Sequence, residues 1–237
     1  MTDNLIERLA SKSNAGQESF SGPKIPTVKL DGSGAGETAG QVLMFNDSVM
    51  TNLGTTLSLQ IIRVRKKLML GGELSKMFTE EYDSPTGDKI TLRKCIRATD
   101  ADAWSKPEVV LTGTASEIRA QHPVKVVSVA YAIMNGDTLV KLLIKGSSTT
   151  GDDGFYTYAD SFKTGAHMFQ FSTEITTSKV QKNRAISYHR MHFKRGAQIT
   201  EGFELVEQYL DMIEGTPVVA TAPTVAPTLD EAFDESF

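Results

Sequence analysis

The sequence predicts a mainly β chain with a few helices, and three observations carry that expectation. Apolar and polar residues follow strand-like patterns over residues 55–70, 124–134 and 138–145, as strands with one or both faces buried do. Asn135-Gly136 separates two of those runs, and that pair is the strongest short-range hairpin signal because both residues accept positive φ. Helical periodicity is confined to short stretches near residues 154–162 and after Thr200. With 237 residues, 40% hydrophobic and 23% charged, the chain has an ordinary globular composition and can bury a sizeable core.

In chain order, Asn4 is placed to cap a short helix through Ala10, and residues 11–22, rich in Ser, Asn, Gly and Gln, read as a flexible continuation of it. Residues 1–22 are therefore expected to form an arm outside the body. Residues 23–30 place Ile25, Thr27 and Leu30 behind two prolines, the pattern of an edge strand. Residues 31–40 contain four glycines but no Gly-Lys-Ser/Thr ending, so they read as a plain loop rather than a phosphate-binding one.

Residues 55–70 form the first clear strand, with Leu57, Leu59 and Ile61 on one face and Ile62 and Val64 on the other. Arg63, Arg65, Lys66 and Lys67 then arrive together, and predict a basic strand end that leaves the core, either as a solvated terminus or as a phosphate-contacting rim. Residues 89–96 are a further strand. Asp100 and Asp102 lack the Gly turn and later Glu of a calcium loop, so they are expected to be solvated, with Trp104 beside them as a packing residue.

The return strand after Asn135-Gly136 directs Val140, Leu142 and Ile144 to the core and puts Leu139, Lys141, Leu143 and Lys145 on the opposite, half-basic face. Asp152 or Asp153 is placed to cap a short helix that buries Phe155, Tyr158 and Phe162 and leaves Tyr156 outside. A second strand pair, 167–179 and 185–195, turns near Lys182-Asn183. Lys179, Lys182, Arg184, Arg190, Lys194 and Arg195 crowd this region together with His189 and His192, and no acid lies between Lys179 and Arg195. Alternation sends Met191 and Phe193 inward with Ser187 and His189, and puts Tyr188, Arg190, His192 and Lys194 on the outer face. Rings and cations on one strand face are what a single-stranded nucleic acid needs, since bases stack on the rings and phosphates meet the cations.

Thr200 is positioned to cap a last helix with the apolar stripe Phe203, Val206, Leu210 and Ile213, ended by Gly215. Residues 216–228 carry no charge and are rich in Pro, Ala, Thr and Val, the composition of a linker. The tip holds Asp230, Glu231, Asp234 and Glu235, which account for the whole net charge of −4. The body is thus formally neutral, and the local distribution of charge, not its sum, bears on an anionic partner.

Several classes are set aside on these grounds. No apolar run approaches the roughly 20 residues of a membrane helix, and the start has an acid where a secretory leader has bases, so a cytoplasmic protein is expected. A lone Cys95 excludes an intrachain disulfide and a multi-cysteine zinc site. His122, His167, His189 and His192 form no ligand-spaced motif, and there is no Gly-x-Ser-x-Gly elbow. The expectation is a protein without catalytic residues, metal or cofactor.

The order strand, hairpin, short helix, hairpin fits an OB-like antiparallel barrel with insertions over residues 23–215. That body, the 216–237 linker and tail, and above all Asp230-Glu-Ala-Phe-Asp-Glu-Ser-Phe237 resemble phage-encoded single-stranded DNA-binding proteins. The chain departs from bacterial members in its larger size and in lacking a Gly-Gln-rich linker. The resemblance implies sequence-tolerant binding of single-stranded DNA in phage DNA replication or recombination, in the host cytoplasm, with no membrane partner; a homo-oligomer is compatible with it.

The expected DNA-contacting residues are Arg63, Arg65, Lys66, Lys67, Lys141, Lys145, Tyr156, Lys179, Lys182, Arg184, Tyr188, Arg190, His192, Lys194 and Arg195. The resemblance also implies that Asp230, Glu231, Phe233, Asp234, Glu235 and Phe237 recruit replication and recombination proteins and compete with DNA for the basic surface. The competing expectations are a virion structural or assembly β-barrel and, more remotely, an enzyme.

Overall fold

A computed structural model of the chain describes residues 6–7, 24–72, 74–98, 104–162, 166–183 and 186–214. Its strands are β1 (Thr27–Leu30), β2 (Val42–Asn46), β3 (Val49–Gly54), β4 (Thr56–Leu70), β5 (Ser75–Phe78), β6 (Lys89–Ile96), β7 (Glu108–Thr114), β8 (Lys125–Met134), β9 (Thr138–Ile144), β10 (Phe171–Gln181) and β11 (Ser187–Gln198). Three helices join them: α1 (Ala115–Gln121), α2 (Phe155–Asp160) and α3 (Phe203–Glu214). The mainly β expectation holds. The strands pair in the order β3-β2-β1-β9-β8-β4-β5-β6-β7, with β10 joined to both β4 and β11. The sheet is mixed and open: β1 and β9 run parallel, and the other pairs are antiparallel. The expected antiparallel barrel is therefore realised as a curled sheet rather than a closed ladder.

The curl comes from β4, fifteen residues long. Its residues Thr56–Leu59 pair with β10 and Leu59–Met69 with β8, so two arms of the sheet fold over one core. Leu59, Ile61, Ala130, Ala132, Val140, Leu142, Ile175, Met191 and Phe193 fill that core from β4, β8, β9, β10 and β11. α2 plugs it with Phe155, Tyr158 and Phe162 as expected, while Tyr156 stays 39% exposed. The Tyr158 hydroxyl shares a 2.6 Å hydrogen bond with the buried Thr173, so the hydroxyl that α2 carries into the core is satisfied.

Asn135 and Gly136 both have positive φ, at 55° and 85°, and turn β8 into β9. Both faces of this hairpin are covered. Ala130, Ala132, Val140 and Leu142 face the first core, and Val129, Tyr131, Ile133, Leu139 and Leu143 face a second one closed by α3. The expected stripe Phe203, Val206, Leu210 and Ile213 is the buried side of α3. That helix begins two residues later than the sequence suggests, after Gly202 with φ 79°. Ile6 packs against the same core, and residues 1–5 and 8–22 lie outside the described residues, as do Gly215 and the linker and tail beyond it. A third cluster, Leu68, Ile90, Leu92, Ala115 and Ile118, joins β4 and β6 to α1.

Two local expectations are corrected. β1 is an interior strand paired with β2 and β9, and its buried residue is Val28, outside the predicted alternation. In β4, the register shifts between Ile61 and Arg63, and such an inserted residue reverses the facing of the strand beyond it. Ile62 joins the α3-covered core and Val64 packs on the first, so the two do not share a face. No described helix is long and apolar enough to cross a membrane.

Candidate nucleic-acid interface

The bulge decides the fate of the basic run in β4. It turns Arg63 and Arg65 toward the covered side, opposite Tyr131 and Val129 of β8, where they are 2% and 3% exposed. Charges so buried need partners, and the segment after β5 supplies them. Asp83 Oδ2 accepts from Arg63 Nη2 at 2.9 Å and lies 3.9 Å from Arg65 Nε. Glu80 accepts from Arg93 and from the Thr91 amide, both at 2.8 Å. Glu81 accepts from the Tyr131 hydroxyl at 2.7 Å and from Lys141 Nζ at 3.2 Å. The Lys141 ammonium also sits 5.0 Å over the Tyr131 ring.

Burial acts to raise the Glu81 carboxyl, but the charges of Lys141 and Lys67 and the Tyr131 hydrogen bond hold it below the ordinary value. The same burial, with Glu81 beside it, pushes the Tyr131 phenol far up. Backbone bridging of Lys66 to Tyr82 fastens the acidic segment to β4. This end of β4 is therefore neither a solvated terminus nor an open rim: Arg63 and Arg65 are structural, and Lys66, Lys67 and Lys141 are half-buried around the same acidic strap.

The β10–β11 hairpin behaves as its alternation predicts. Met191 and Phe193 are buried, at 1% and 5%. His189 turns under the glycine-rich loop after β1, where its Nδ1 lies 2.7 Å from the Ser33 carbonyl oxygen. That loop closes on β11 so tightly that a Cβ on Gly40, whose φ is +79°, would come within 2.5 Å of the His189 ring. Asp31 braces the loop by accepting from the Ser33 hydroxyl at 2.7 Å and the Thr38 hydroxyl at 2.5 Å. The outer row Tyr188, Arg190, His192 and Lys194 faces Val180, Ser178, Thr176 and Glu174 across the ladder.

Acids absent from the local sequence reach this row from elsewhere. Asp153, expected as a helix cap, instead bonds Arg190 and His192, and α2 is capped by Gly154 without a side-chain bond. His192 Nδ1 is 2.5 Å from Asp153 Oδ2, and its Nε2 is 2.5 Å from Ser178 Oγ. Burial raises the Asp153 carboxyl, but the His192 hydrogen bond and the charges of His192 and Arg190 outweigh it and hold the group below the usual carboxylate range. Lys194 lies 3.9 Å from Glu174, both well exposed. The order Asp153, His192, Ser178 is that of a nucleophilic relay. A relay carboxylate is buried and bonded to its histidine, whereas Asp153 is half-exposed and shared with Arg190; the arrangement suits holding an anion.

Beside Tyr188 and His189 a cavity of about 60 Å³ opens between β1, β9 and β11, lined also by Lys29, Lys145 and Ser148. At roughly 10–15 Å³ per water it has room for about four to six. Lys29, whose ammonium sits 4.3 Å over the Phe45 ring, was not foreseen as a site residue, because the β1 pattern gave no sign that it would line a cavity with Lys145.

Arg195 sits 4.1 Å over Phe162 and 4.8 Å from Phe171, and donates to the Ser161 carbonyl. It thus secures the α2 end. Lys179 and Lys182 are exposed near the hairpin tip. Arg184 and the six tail residues Asp230, Glu231, Phe233, Asp234, Glu235 and Phe237 lie outside the described residues, as do Asp100 and Asp102. Trp104 stacks on the Lys76 ammonium at 4.4 Å. No group of three or more His, Cys, Asp or Glu among the described residues is disposed to hold a metal. Comparison of the chain with protein-family models, curated proteins and solved structures returns no match.

Proposed function

We propose that the protein binds single-stranded DNA without sequence preference and without catalysis, in phage DNA replication or recombination. The observation that carries this reading is the row Tyr188, Arg190, His192 and Lys194 on one face of the β10–β11 hairpin, beside the Lys29–Lys145 cavity. Residues two apart on a strand are about 7 Å apart, so the row presents a ring and then cations along one line. A base stacked on such a ring is worth on the order of 1–3 kcal/mol. Tyr156, on α2, is 39% exposed and offers a further ring to a base. The acidic tail completes the reading: it recruits replication and recombination proteins and competes for the cationic row at the high local concentration a tether provides.

Anisotropy of a fluorescein-labelled oligo(dT) tests this directly. Binding at about 50 mM salt that weakens steeply as salt rises is expected, and Tyr188→Ala should weaken it at least about fivefold, the lower end of the stacking range. No binding at low salt removes the proposal. The alternative, a virion assembly protein, draws on the open sheet edges: β3 and β7 present Val49, Met50, Val109 and Val110 at 62%, 47%, 66% and 38% exposure, and open apolar edges invite strand pairing between copies. Large homo-oligomers by light scattering, with no DNA affinity, would select it.

A further inference from the structure

We propose that Asp153 is an internal stand-in for a backbone phosphate: its carboxylate fills an anion cradle made by Arg190 and by His192, whose ring is braced from behind by Ser178, and a nucleic-acid phosphate displaces it. This inference rests on the DNA-binding reading and adds to it a built-in competitor distinct from the tail. The cradle is rigid, because Arg190 pairs with Ser178 and His192 with Thr176 in the β10–β11 ladder. The carboxylate is carried instead on the short loop between β9 and α2. Its backbone is pinned by the Phe193 amide donating to the Asp153 carbonyl at 2.9 Å and by Arg190 Nη2 donating to the Thr150 carbonyl at 3.3 Å.

The side chains differ in exposure in the sense displacement requires. Asp153 is 50% exposed, while Arg190 and His192 are 19% and 24% exposed. The Asp153 side chain has room to swing outward with little change elsewhere, and the cations stay in place. A guanidinium fork donates to carboxylate and phosphate oxygens with the same geometry, and the His192 ring, held between Asp153 and Ser178, adds a second polar contact. Lys194 lies farther along the same row, where the next phosphate of the strand would fall.

The test is Asp153→Asn in the full chain, read by oligo(dT) anisotropy at fixed low salt. Releasing the partly exposed Arg190 ion pair and the His192 hydrogen bond is expected to tighten binding roughly three- to tenfold, whereas Asp153→Glu, which keeps the charge, should stay within about twofold of wild type. Equal or weaker binding by the Asn variant, with wild-type binding intact, overturns the stand-in. Absence of wild-type binding overturns the DNA reading instead. Should the Asn variant not fold, NMR of the wild-type histidines decides: oligo(dT) must shift the His192 imidazole resonances, and an unmoved His192 in a saturated complex refutes displacement.

Discussion

Asp83→Asn probes the difference between a buried cation and a contact cation. Arg63 is 1% exposed at its side chain and Asp83 23%, with 2.9 Å between them, and Arg65 approaches the same carboxylate at 3.9 Å. Neutralising Asp83 leaves two guanidiniums in the covered layer with one counter-charge fewer. Removing one partner of a buried pair costs about 3–5 kcal/mol, and the partial exposure of Asp83 points to the lower end, about 3 kcal/mol. In a domain of this size each kcal/mol moves the melting temperature by roughly 2–4 °C, so a fall of about 6–12 °C is expected by calorimetry or circular dichroism. Lys194→Gln is the matched control. Its pair with Glu174 is exposed, at 82% and 52%, and such pairs contribute roughly 0–1 kcal/mol. It should melt within about 3 °C of wild type yet bind oligo(dT) more weakly. The reverse pattern, with Asp83→Asn thermally silent and Arg63→Met folded but unable to bind DNA, would refute the assignment of the β4 arginines to structure.

Two further perturbations draw on the same geometry. Glu81→Gln keeps size and loses charge. Because the folded Glu81 carboxyl lies below its ordinary value of 4.5, its stabilisation is present above that pH and is lost as pH falls through the folded value. The variant should be about 1–3 kcal/mol less stable at pH 7, with the gap closing at acid pH; a gap that widens on acidification would contradict the sign. Gly40→Ala combines a positive φ of +79° with a Cβ 2.5 Å from the His189 ring. It should cost more than about 1 kcal/mol in urea unfolding and should loosen the β1–β11 loop, seen as faster amide exchange at His189, whose N–H donates to the Gly32 carbonyl.

Patterns that repeat within a single element were readable from sequence. The β8–β9 hairpin, the α2 rings, the α3 stripe and the facing of β11 all arise from periods of two or 3.6 residues acting on one buried side. The features that escaped depended on groups distant in sequence. The acids answering β4 lie at residues 80–83, and Asp153 answers β11 from 37 residues away, so a run without local acids looked more cationic than the folded surface is. β2, β3, β5 and β7 escaped for another reason: they are 4–7 residues long, too short for alternation to stand out. The bulge at Ile62 left no sequence mark, since Ile62 and Val64 are apolar and serve either face equally well.

The number of cations in the sequence therefore overstates the number available to a ligand, and this changes how salt dependence should look. For single strands log K falls with log salt at about −0.7 per phosphate neutralised. Had every expected cation met a phosphate, about a dozen contacts would give a slope near −9. Arg63 and Arg65 are buried, Lys141 is committed to Glu81, and Arg195 is stacked on Phe162. Lys145, Lys179, Lys182, Arg190 and Lys194 remain at or near the surface of the candidate interface, and about five contacts correspond to a slope near −3.5. The folded body thus reconciles a densely basic sequence with a neutral charge sum: part of the positive charge holds the sheet together against the acidic strap, and a smaller, ordered part faces outward beside Tyr188. Affinity should then depend on stacking at Tyr188 and on displacing Asp153 more than on charge count, so substitutions in the outward row should change binding at constant stability.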